Sequence, residues 1–264
     1  MTSPARRGRC LLFGAAALLL LCNAAVSAAE PLDPVASLPN MVPDVGKMSI
    51  EHPFVRDEAT GTFVPGPPAL FFDTQARNLG TVPLQLTLED LDDPDALTLA
   101  QCVSWRLGRI CHESRSAAGF TFHADHKHFH HDFAVYELRR LLRSGKVDYS
   151  SQGLVAAAEK VSWCMADSAR VSDDALLAPV YVKCESTVQG VSPGWAAVHS
   201  PDGIDQQLSL AGLTDGRYAL VIDLDPGDAI LETDDTDNLV EITLELSGGV
   251  TQVAAVARHY PGRR

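Results

Sequence analysis

Short runs of β-branched, aromatic and other apolar residues recur along the chain, separated by Gly-, Asp- and Pro-rich turns. Such runs predict strands at residues 69–74, 83–88, 120–129, 160–164, 178–182, 208–210, 218–224 and 239–246. Many short strands at this spacing predict an all-β fold, a β-sandwich with long loops. We expect one domain over residues 32–260, which opens on a Pro-rich lead-in that ends near residue 47.

One segment departs from the strand pattern. Residues 133–144 place Tyr136, Leu138, Leu141 and Leu142 at spacing that is helical in part. This spacing predicts a short helix directly after the histidine-rich strand.

The N-terminal residues have the order typical of a secretory signal peptide. A basic stretch at residues 6–9 precedes an apolar run at residues 10–22, and small residues follow up to Ala29. We therefore assign residues 1–29 to a signal peptide, which predicts a secreted or periplasmic protein. The apolar run is shorter than a bilayer span, so a membrane anchor is the weaker interpretation. We expect no integral membrane segment in the mature chain.

Four cysteines remain after the predicted cleavage: Cys102, Cys111, Cys164 and Cys184. An even number in an exported chain predicts two disulfides, although three pairings are open to four cysteines. The pairs Cys102–Cys111 and Cys164–Cys184 are favoured because each closes a short local loop. A four-thiolate zinc site would require the paired C-x-x-C spacing, which this sequence lacks.

The charge balance argues against a nucleic-acid partner. The formal net charge is -13, and such an acidic chain repels phosphates. An acidic surface attracts cationic amines or basic proteins, although salt screens this attraction.

Histidines are concentrated in one segment, His123-Ala-Asp-His126-Lys-His128-Phe-His130-His131. On a strand, His126, His128 and His130 would project from one face, about 7 Å apart from neighbour to neighbour. Imidazoles at this spacing can converge on one ion, and copper has a higher intrinsic affinity for them than zinc. We therefore predict a copper site with these three ligands, and His123 is a candidate fourth ligand.

The histidine segment and five others resemble the lysyl oxidase family. The six resembling segments lie in the family's order at residues 71–84, 122–139, 159–164, 184–194, 215–220 and 232–238. Members of that family convert primary amines to aldehydes with oxygen and release ammonia and hydrogen peroxide. The resemblance therefore implies a copper-dependent amine oxidase that acts on peptidyl lysine of extracellular proteins or on small amines.

The resemblance also implies a lysine tyrosylquinone, a cofactor made from a tyrosine that becomes cross-linked to a lysine. Lys160 stands at the position of that lysine, four residues before Cys164. The tyrosine position, five residues after Gly194, holds His199, and residues 195–202 contain no tyrosine. Histidine is not a quinone precursor, so this departure argues against the cofactor and makes His199 a candidate additional copper ligand.

An acidic loop offers a second metal site. Hard oxygen ligands at close spacing suit calcium, and the resemblance extends to a calcium site in some family members. The ligands it implies here are Asn40, Met41, Glu232, Asp234, Asp237 and Asn238. A solvated acidic turn is the competing interpretation.

Two functions follow from these residues. The first is an amine oxidase of lysyl oxidase type. The second is an extracellular copper-binding relative that does not oxidise amines, because the quinone-precursor tyrosine is missing. A zinc hydrolase built on the same histidines is a weaker third hypothesis, since no general base stands at a defined spacing from them.

Overall fold

Strands supply the regular structure of this chain. The computed structural model describes residues 38–88, 99–106, 110–117, 121–123, 128–184, 186–200 and 206–262. The strands are β1 (Met41–Glu51), β2 (Phe54–Arg56), β3 (Phe63–Pro65), β4 (Ala69–Asn78), β5 (Leu84–Leu88), β6 (Leu99–Arg106), β7 (Ile110–Ala117), β8 (Thr121–His123), β9 (His128–Arg140), β10 (Leu154–Trp163), β11 (Ala169–Arg170), β12 (Val188–Val191), β13 (Trp195–His199), β14 (Gln207–Ser209), β15 (Gly216–Leu224), β16 (Leu239–Ser247) and β17 (Gln252–His259). No helix occurs within the described ranges, and the predicted all-β class is confirmed.

The strands pair antiparallel in four sheets. The first sheet has the order β1-β4-β13-β11, with β14 also paired to β4. The second has the order β10-β9-β15-β16-β17, with β8 also paired to β9. A third sheet, β12-β5-β6-β7, and the hairpin β2–β3 complete the set. Residues Leu32–Arg264 form one compact unit, and Met1–Pro31, the other unit, lies outside the described residues.

One large apolar core joins the first three sheets. Alternate residues of each strand point to opposite faces, so one face of each strand supplies the core. Its fully buried members include Leu70 and Phe72 of β4, Tyr136 and Leu138 of β9, and Leu220 and Ile222 of β15. The ring of Phe72 meets that of Tyr136 edge-on, with centroids 5.0 Å apart. This contact links the first sheet to the second.

The predicted short helix after the histidines is wrong. β9 continues as a strand to Arg140 and pairs with β10 on one side and with β15 on the other. Its buried positions Ala134, Tyr136 and Leu138 alternate with half-buried ones, which is the period of a strand. Two neighbouring strands satisfy the backbone hydrogen bonds of this segment, and that pairing overrides the helical spacing of its leucines.

Two further local predictions differ from the structure. Residues 41–47, expected in the lead-in, belong to β1, which pairs with β4 on either side of a bulge at residues 46–47. Residues 178–182, expected as a strand, form a loop. The N–H groups of Val180 and Tyr181 in that loop donate to the carboxylate of Asp167 rather than to a neighbouring strand.

The structure contains the two disulfides favoured by loop length, Cys102–Cys111 and Cys164–Cys184. The first joins the hairpin β6–β7, and the second ties the residue after β10 to the segment before β12. Such bonds fit a protein that folds in an oxidising compartment. No helix long and apolar enough to cross a membrane occurs in the part of the chain that the structure describes.

Candidate metal and cofactor site

The backbone places several histidines of the 123–131 segment close together. His128 and His130 occupy alternate positions at the start of β9, and His123 of β8 pairs directly with His128. Directly paired residues of antiparallel strands have their Cα atoms about 4.5–5.5 Å apart. His126 lies in the connection 124–127, outside the described residues. The hairpin β8–β9 thus brings His123 beside one of the predicted copper ligands.

Lys160 lies on the strand next to these histidines. In the β9–β10 ladder, Lys160 pairs with Ala134, and Ser162, two residues further along, pairs with His130. Three residues of β9 oppose one residue of β10 between these two pairs, so the ladder contains a bulge. Bulges are frequent beside functional sites, where they change the direction of neighbouring side chains. The residues Lys160 and His130 are therefore near neighbours across adjacent strands.

The Lys160 side chain is 8% exposed, which is unusual for a lysine. Its partner in the ladder, Ala134, is fully buried on the core face of β9. Directly opposite residues of a sheet share a face, so Lys160 belongs to the core side of the second sheet. Removing an ammonium group from water is costly, and such lysines are found where their amine is used or compensated.

His199 lies on the first sheet, at the end of β13. It pairs with Thr74 of β4, whose side chain is fully buried, so the two residues share the core-facing side. The Thr74 hydroxyl donates to Gln206 Oε1 over 2.9 Å, and Gln206 Nε2 donates to the Tyr136 hydroxyl over 3.0 Å. This chain of hydrogen bonds joins β4 to β9 through the core, beside the position of His199.

Thr74 and Gln206 were missed by the sequence analysis, and Tyr136 was assigned there only to the predicted helical segment. Single polar residues in apolar surroundings carry no spacing signal, and their pairing depends on the packing of two sheets. All three residues are fully buried. A satisfied buried network of this kind fixes the register of the two sheets more firmly than apolar contacts alone.

The acidic loop meets β1 through Glu232. Its carboxylate accepts a hydrogen bond from the Met41 N–H and another, of 3.0 Å, from Asn238 Nδ2. Asn40 Nδ2 donates to Asp237 Oδ2 over 3.0 Å. Five of the six residues implied as calcium ligands thus hydrogen-bond to other members of the set.

Three oxygens of this group are buried without a hydrogen-bond donor: Asn40 Oδ1, Asp237 Oδ1 and Asn238 Oδ1. Burial raises the pKa of Glu232 well above its ordinary value and also raises the pKa of Asp237. Burial is costly for an oxygen that has no hydrogen-bond donor and for a carboxylate that has no cationic partner. A bound cation relieves both costs. The donor set therefore fits a hard cation.

Asp234 is placed differently from the other five residues. Its carboxylate is exposed and accepts hydrogen bonds from the N–H and hydroxyl of Thr236, over 2.9 and 2.6 Å. These bonds lower the pKa of Asp234. Among the described residues, no three His, Cys, Asp or Glu side chains form a ready metal site. Two of the loop's buried oxygens, Asn40 Oδ1 and Asn238 Oδ1, belong to asparagine, which is not one of those four residue types.

Buried side chains fasten the acidic loop to the sheets. Gln101 of β6 accepts from the Leu231 N–H over 2.8 Å and donates to the Leu231 carbonyl over 2.7 Å. The Asp225 carboxylate accepts from the N–H of Ile230 over 2.8 Å, and the Asp225 N–H donates to the Phe133 carbonyl over 2.7 Å. Phe133 is three residues from His130, so the segment that leads into this loop supports the histidine end of β9.

A comparison with known protein families gives the same family as the six resembling segments of the sequence. The lysyl oxidase family model matches residues 107–256, more than half of the chain. The chain belongs to the lysyl oxidase family. The resemblance in the sequence is thereby confirmed, and the match includes the histidine segment, Lys160 and the acidic loop.

Curated members of the lysyl oxidase family are similar over about half of this chain. Protein-lysine 6-oxidase of Gallus gallus is 28% identical over 137 residues, which is 51% of this chain and 30% of the relative. Lysyl oxidase homolog 1 of Homo sapiens is 29% identical over 129 residues, 48% of this chain and 20% of the relative. Protein-lysine 6-oxidase of Sus scrofa is 27% identical over 137 residues, 51% of this chain and 50% of the relative. The matched region thus spans between a fifth and a half of these relatives.

The buried carboxylate of Glu232 predicts a pH dependence of stability. Because its pKa is raised in the folded state, the folded chain holds this proton to higher pH than the unfolded chain does. With chelator present, the free energy of unfolding should therefore fall as pH rises above the ordinary value of 4.5. The loss is about 1.4 kcal/mol for each unit by which the pKa is raised.

Urea unfolding of the wild type and of Glu232→Gln, measured in chelator from pH 4 to pH 8, tests this dependence. The glutamine variant keeps the acceptor for Met41 but has no proton to lose, so its stability should decline less over this range. Parallel pH profiles for the two proteins would contradict the assignment to Glu232.

Proposed function

We propose that this protein is a secreted, copper-binding member of the lysyl oxidase family, built on the scaffold of a primary-amine oxidase. The substrate class is a primary amine, either the lysine side chain of an extracellular protein or a small amine. The observation that carries the proposal is the pairing of β9 with β10, which sets the histidine positions beside a buried lysine.

The copper ligands in this proposal are His126, His128 and His130, with His123 as an additional candidate. Support comes from the backbone, which gives His128 and His130 alternate positions of β9 and sets His123 opposite His128. Imidazole nitrogen is a donor that suits copper, and the donor set therefore fits this ion. With copper bound, the site would supply the redox chemistry that passes electrons from an amine to oxygen.

The chain's own residues prepare the site for an amine. Lys160 is buried on the core side of β10, and its amine is the proposed partner for a cross-link to an oxidised aromatic ring. The hydrogen-bonded set Thr74, Gln206 and Tyr136 fixes the first sheet against the second, and so sets where residue 199 stands relative to β9. Orientation of reacting groups by rigid surroundings is a large part of what a protein adds to cofactor chemistry.

A second function, copper binding without amine oxidation, is favoured by one residue. His199 occupies the position of the quinone-precursor tyrosine, and it faces the core side of β13 opposite Thr74. Histidine cannot form the quinone, and its imidazole would instead serve as a further copper ligand. A filled coordination position would hinder oxygen chemistry, so we expect weak or no turnover in the wild type.

We further propose that the acidic loop binds calcium through Asn40, Met41, Glu232, Asp234, Asp237 and Asn238. The three buried oxygens without donors and the raised pKa of Glu232 support a cation here. Carboxylate, amide and carbonyl oxygens are the ligands that calcium prefers. Since the segment that leads into the loop donates to Phe133 near the histidines, calcium would also hold the start of β9 in place.

The first prediction concerns copper. Replacing His126, His128 and His130 together with alanine should abolish tight copper binding, because the imidazole donors are lost. Metal analysis after gel filtration of copper-loaded protein gives the stoichiometry. The matched control replaces His52, His112 and His259, which are exposed, and should bind as much copper as the wild type. Undiminished copper in the first variant would contradict the ligand assignment.

The second prediction concerns residue 199. Copper-loaded wild type and His199→Tyr are incubated in air and then given a primary amine, and hydrogen peroxide release is measured with and without a carbonyl reagent. We expect turnover sensitive to that reagent, together with a quinone absorption band, in the tyrosine variant and little in the wild type. Robust turnover in the wild type would show that another tyrosine supplies the cofactor and that His199 is misassigned.

The third prediction concerns calcium. A cation that binds only the folded state raises the melting temperature by mass action. Millimolar calcium should raise it in the wild type, whereas Asp237→Ala should reduce or remove the shift. Asp148→Ala, which changes a partly exposed aspartate on another loop, is the control and should keep the full shift. An equal shift in wild type and Asp237→Ala would remove calcium from this loop.

A further inference from the structure

The second sheet ends in a strand whose outer edge has no partner strand. Among the described residues, β17 pairs with β16 alone, so the backbone N–H and C=O groups along its other edge point away from the sheet. Every residue of β17 is exposed except Val253, which is half-buried. A row of unpaired backbone donors and acceptors is a surface that binds another extended strand.

This edge lacks the features that ordinarily prevent strand pairing. Edge strands are protected by charged side chains, by proline or by short length. β7, an edge of the third sheet, presents Glu113 and Arg115, and β1, an edge of the first, contains Pro43 and Lys47. In β17, residues 252–257 read Gln-Val-Ala-Ala-Val-Ala, with no charge and no proline. Their short side chains allow another strand to approach closely.

A bulge sets the length of the free ladder. The register of β16 and β17 shifts between Thr243 and Leu244, where Val256 opposes no residue of β16. Regular pairing along the free edge therefore covers residues 252–255 and ends at this bulge. A short ladder buries less area than a standard interface, and it favours a weak, reversible contact over a permanent one.

The geometry of antiparallel pairing allows this segment to pair with itself. A twofold axis perpendicular to the sheet places two copies side by side and keeps each face of the sheet on its own side. Residues that become opposite must then lie an even number of positions apart, because faces alternate along a strand. An axis at Ala254 meets this condition. It pairs Ala254 with Ala254 of the other copy and Val253 with Ala255, so that small apolar side chains meet.

The acidic character of the chain does not oppose this contact. The formal net charge is -13, so two copies repel each other except where a surface lacks carboxylates. Residues 248–262 contain no Asp or Glu. The exposed Glu245 of β16 lies between Ala254 and Arg217, a cation that offsets its charge. The two copies of Glu245 stand three strand spacings apart, about 14 Å, which exceeds the Debye length at physiological salt.

The charges at the two ends of the segment explain why the pairing is antiparallel. At the C-terminal end, Arg258 and Arg77 share the carboxylate of Asp44, over 3.1 and 3.0 Å. At the N-terminal end, the exposed carboxylate of Asp215 accepts from backbone N–H groups of the turn 248–250. A parallel arrangement would place the guanidinium groups of the two copies together. The antiparallel arrangement brings each guanidinium end level with the aspartate turn of the other copy.

We propose that this protein forms a symmetric dimer in which β17 of one copy pairs antiparallel with β17 of another about Ala254. The second sheets then join into one continuous sheet of ten strands, five from each copy. The two β9 strands stand seven strand spacings apart, about 34 Å, so neither candidate site lies at the interface. The dimer presents both sites on the same side of one sheet. It depends on neither copper nor amine oxidation.

Sedimentation equilibrium of the purified protein over a range of concentrations tests the dimer. Ala254→Lys and Ala254→Glu each place like charges opposite each other across the axis, so each should raise the dissociation constant at least about tenfold. An equimolar mixture of the two variants should dimerise again, because lysine then faces glutamate. Residue 254 is exposed, and circular dichroism of each variant verifies that it has folded.

The matched control is Ala157→Lys. Ala157 is an exposed alanine of β10, the opposite edge strand of the same sheet, and it pairs with Glu137. This variant should dimerise as the wild type does. Hydrogen exchange of the wild type gives a readout that needs no variant. The amides of residues 252–255 that point away from β16 should become protected as the protein concentration rises through the dissociation constant.

Several results would overturn the dimer. A wild type that stays monomeric at the highest concentration measured rules it out, as does an unchanged dissociation constant in both Ala254 variants or no recovery in their mixture. Association beyond two copies that Ala157→Lys abolishes would mean that β17 pairs with β10 of the next copy in an open filament. Protection of residues 252–255 that does not change with concentration would assign this edge to a segment of the same chain.

Discussion

Antiparallel hydrogen bonding between β9 and β10 is the constraint on which the candidate site depends. It aligns Lys160 with Ala134 and Ser162 with His130, with a bulge between the two pairs. Because β9 also pairs with β15 and β8, its position in the sheet is fixed on both sides. A shift of one residue in this register would move Lys160 from the core side of the sheet to the solvent side. The buried lysine and the histidine positions are therefore set by one ladder.

Two sets of buried polar groups hydrogen-bond to β9 and support that ladder. Thr74, Gln206 and Tyr136 join the first sheet to β9 through the core, beside His199. Gln101 and Asp225 hold the segment that leads into the acidic loop, and the Asp225 N–H donates to Phe133 near the start of β9. Polar groups in a core are costly unless their hydrogen bonds are satisfied, so their presence limits the ways in which the sheets can pack. Three buried oxygens of the loop lack hydrogen-bond donors, and a cation would satisfy them.

The sequence was most informative where chemistry and short-range spacing coincide. The histidine segment, the short cysteine loops and the strands 218–224 and 239–246 follow from local patterns, and the last two appear as β15 and β16. The helix expected at residues 133–144 failed because strand pairing on both sides outweighs local spacing. The strand predicted at residues 178–182 does not form, because the N–H groups of Val180 and Tyr181 donate to the Asp167 carboxylate instead of to a neighbouring strand.

Long-range contacts account for what the sequence did not reveal. Nothing near Gln206 indicates that it bonds to Tyr136, 70 positions away along the chain, or that Gln101 holds Leu231. Such pairs form only when two sheets pack together, and one sequence alone does not show how the sheets pack. The contact between Asn40 and Asp237 is equally remote, and only the resemblance to the lysyl oxidase family placed the two residues together.

The most direct test of the account is the position of copper itself. Crystals of the protein soaked in copper would be measured on both sides of the copper absorption edge, and the anomalous difference map would locate the ion. We predict one strong peak bound by imidazole nitrogens at the start of β9, on the side of the second sheet that carries Lys160. A peak bound only by other histidines, or no peak at β9 in crystals that contain copper, would contradict it.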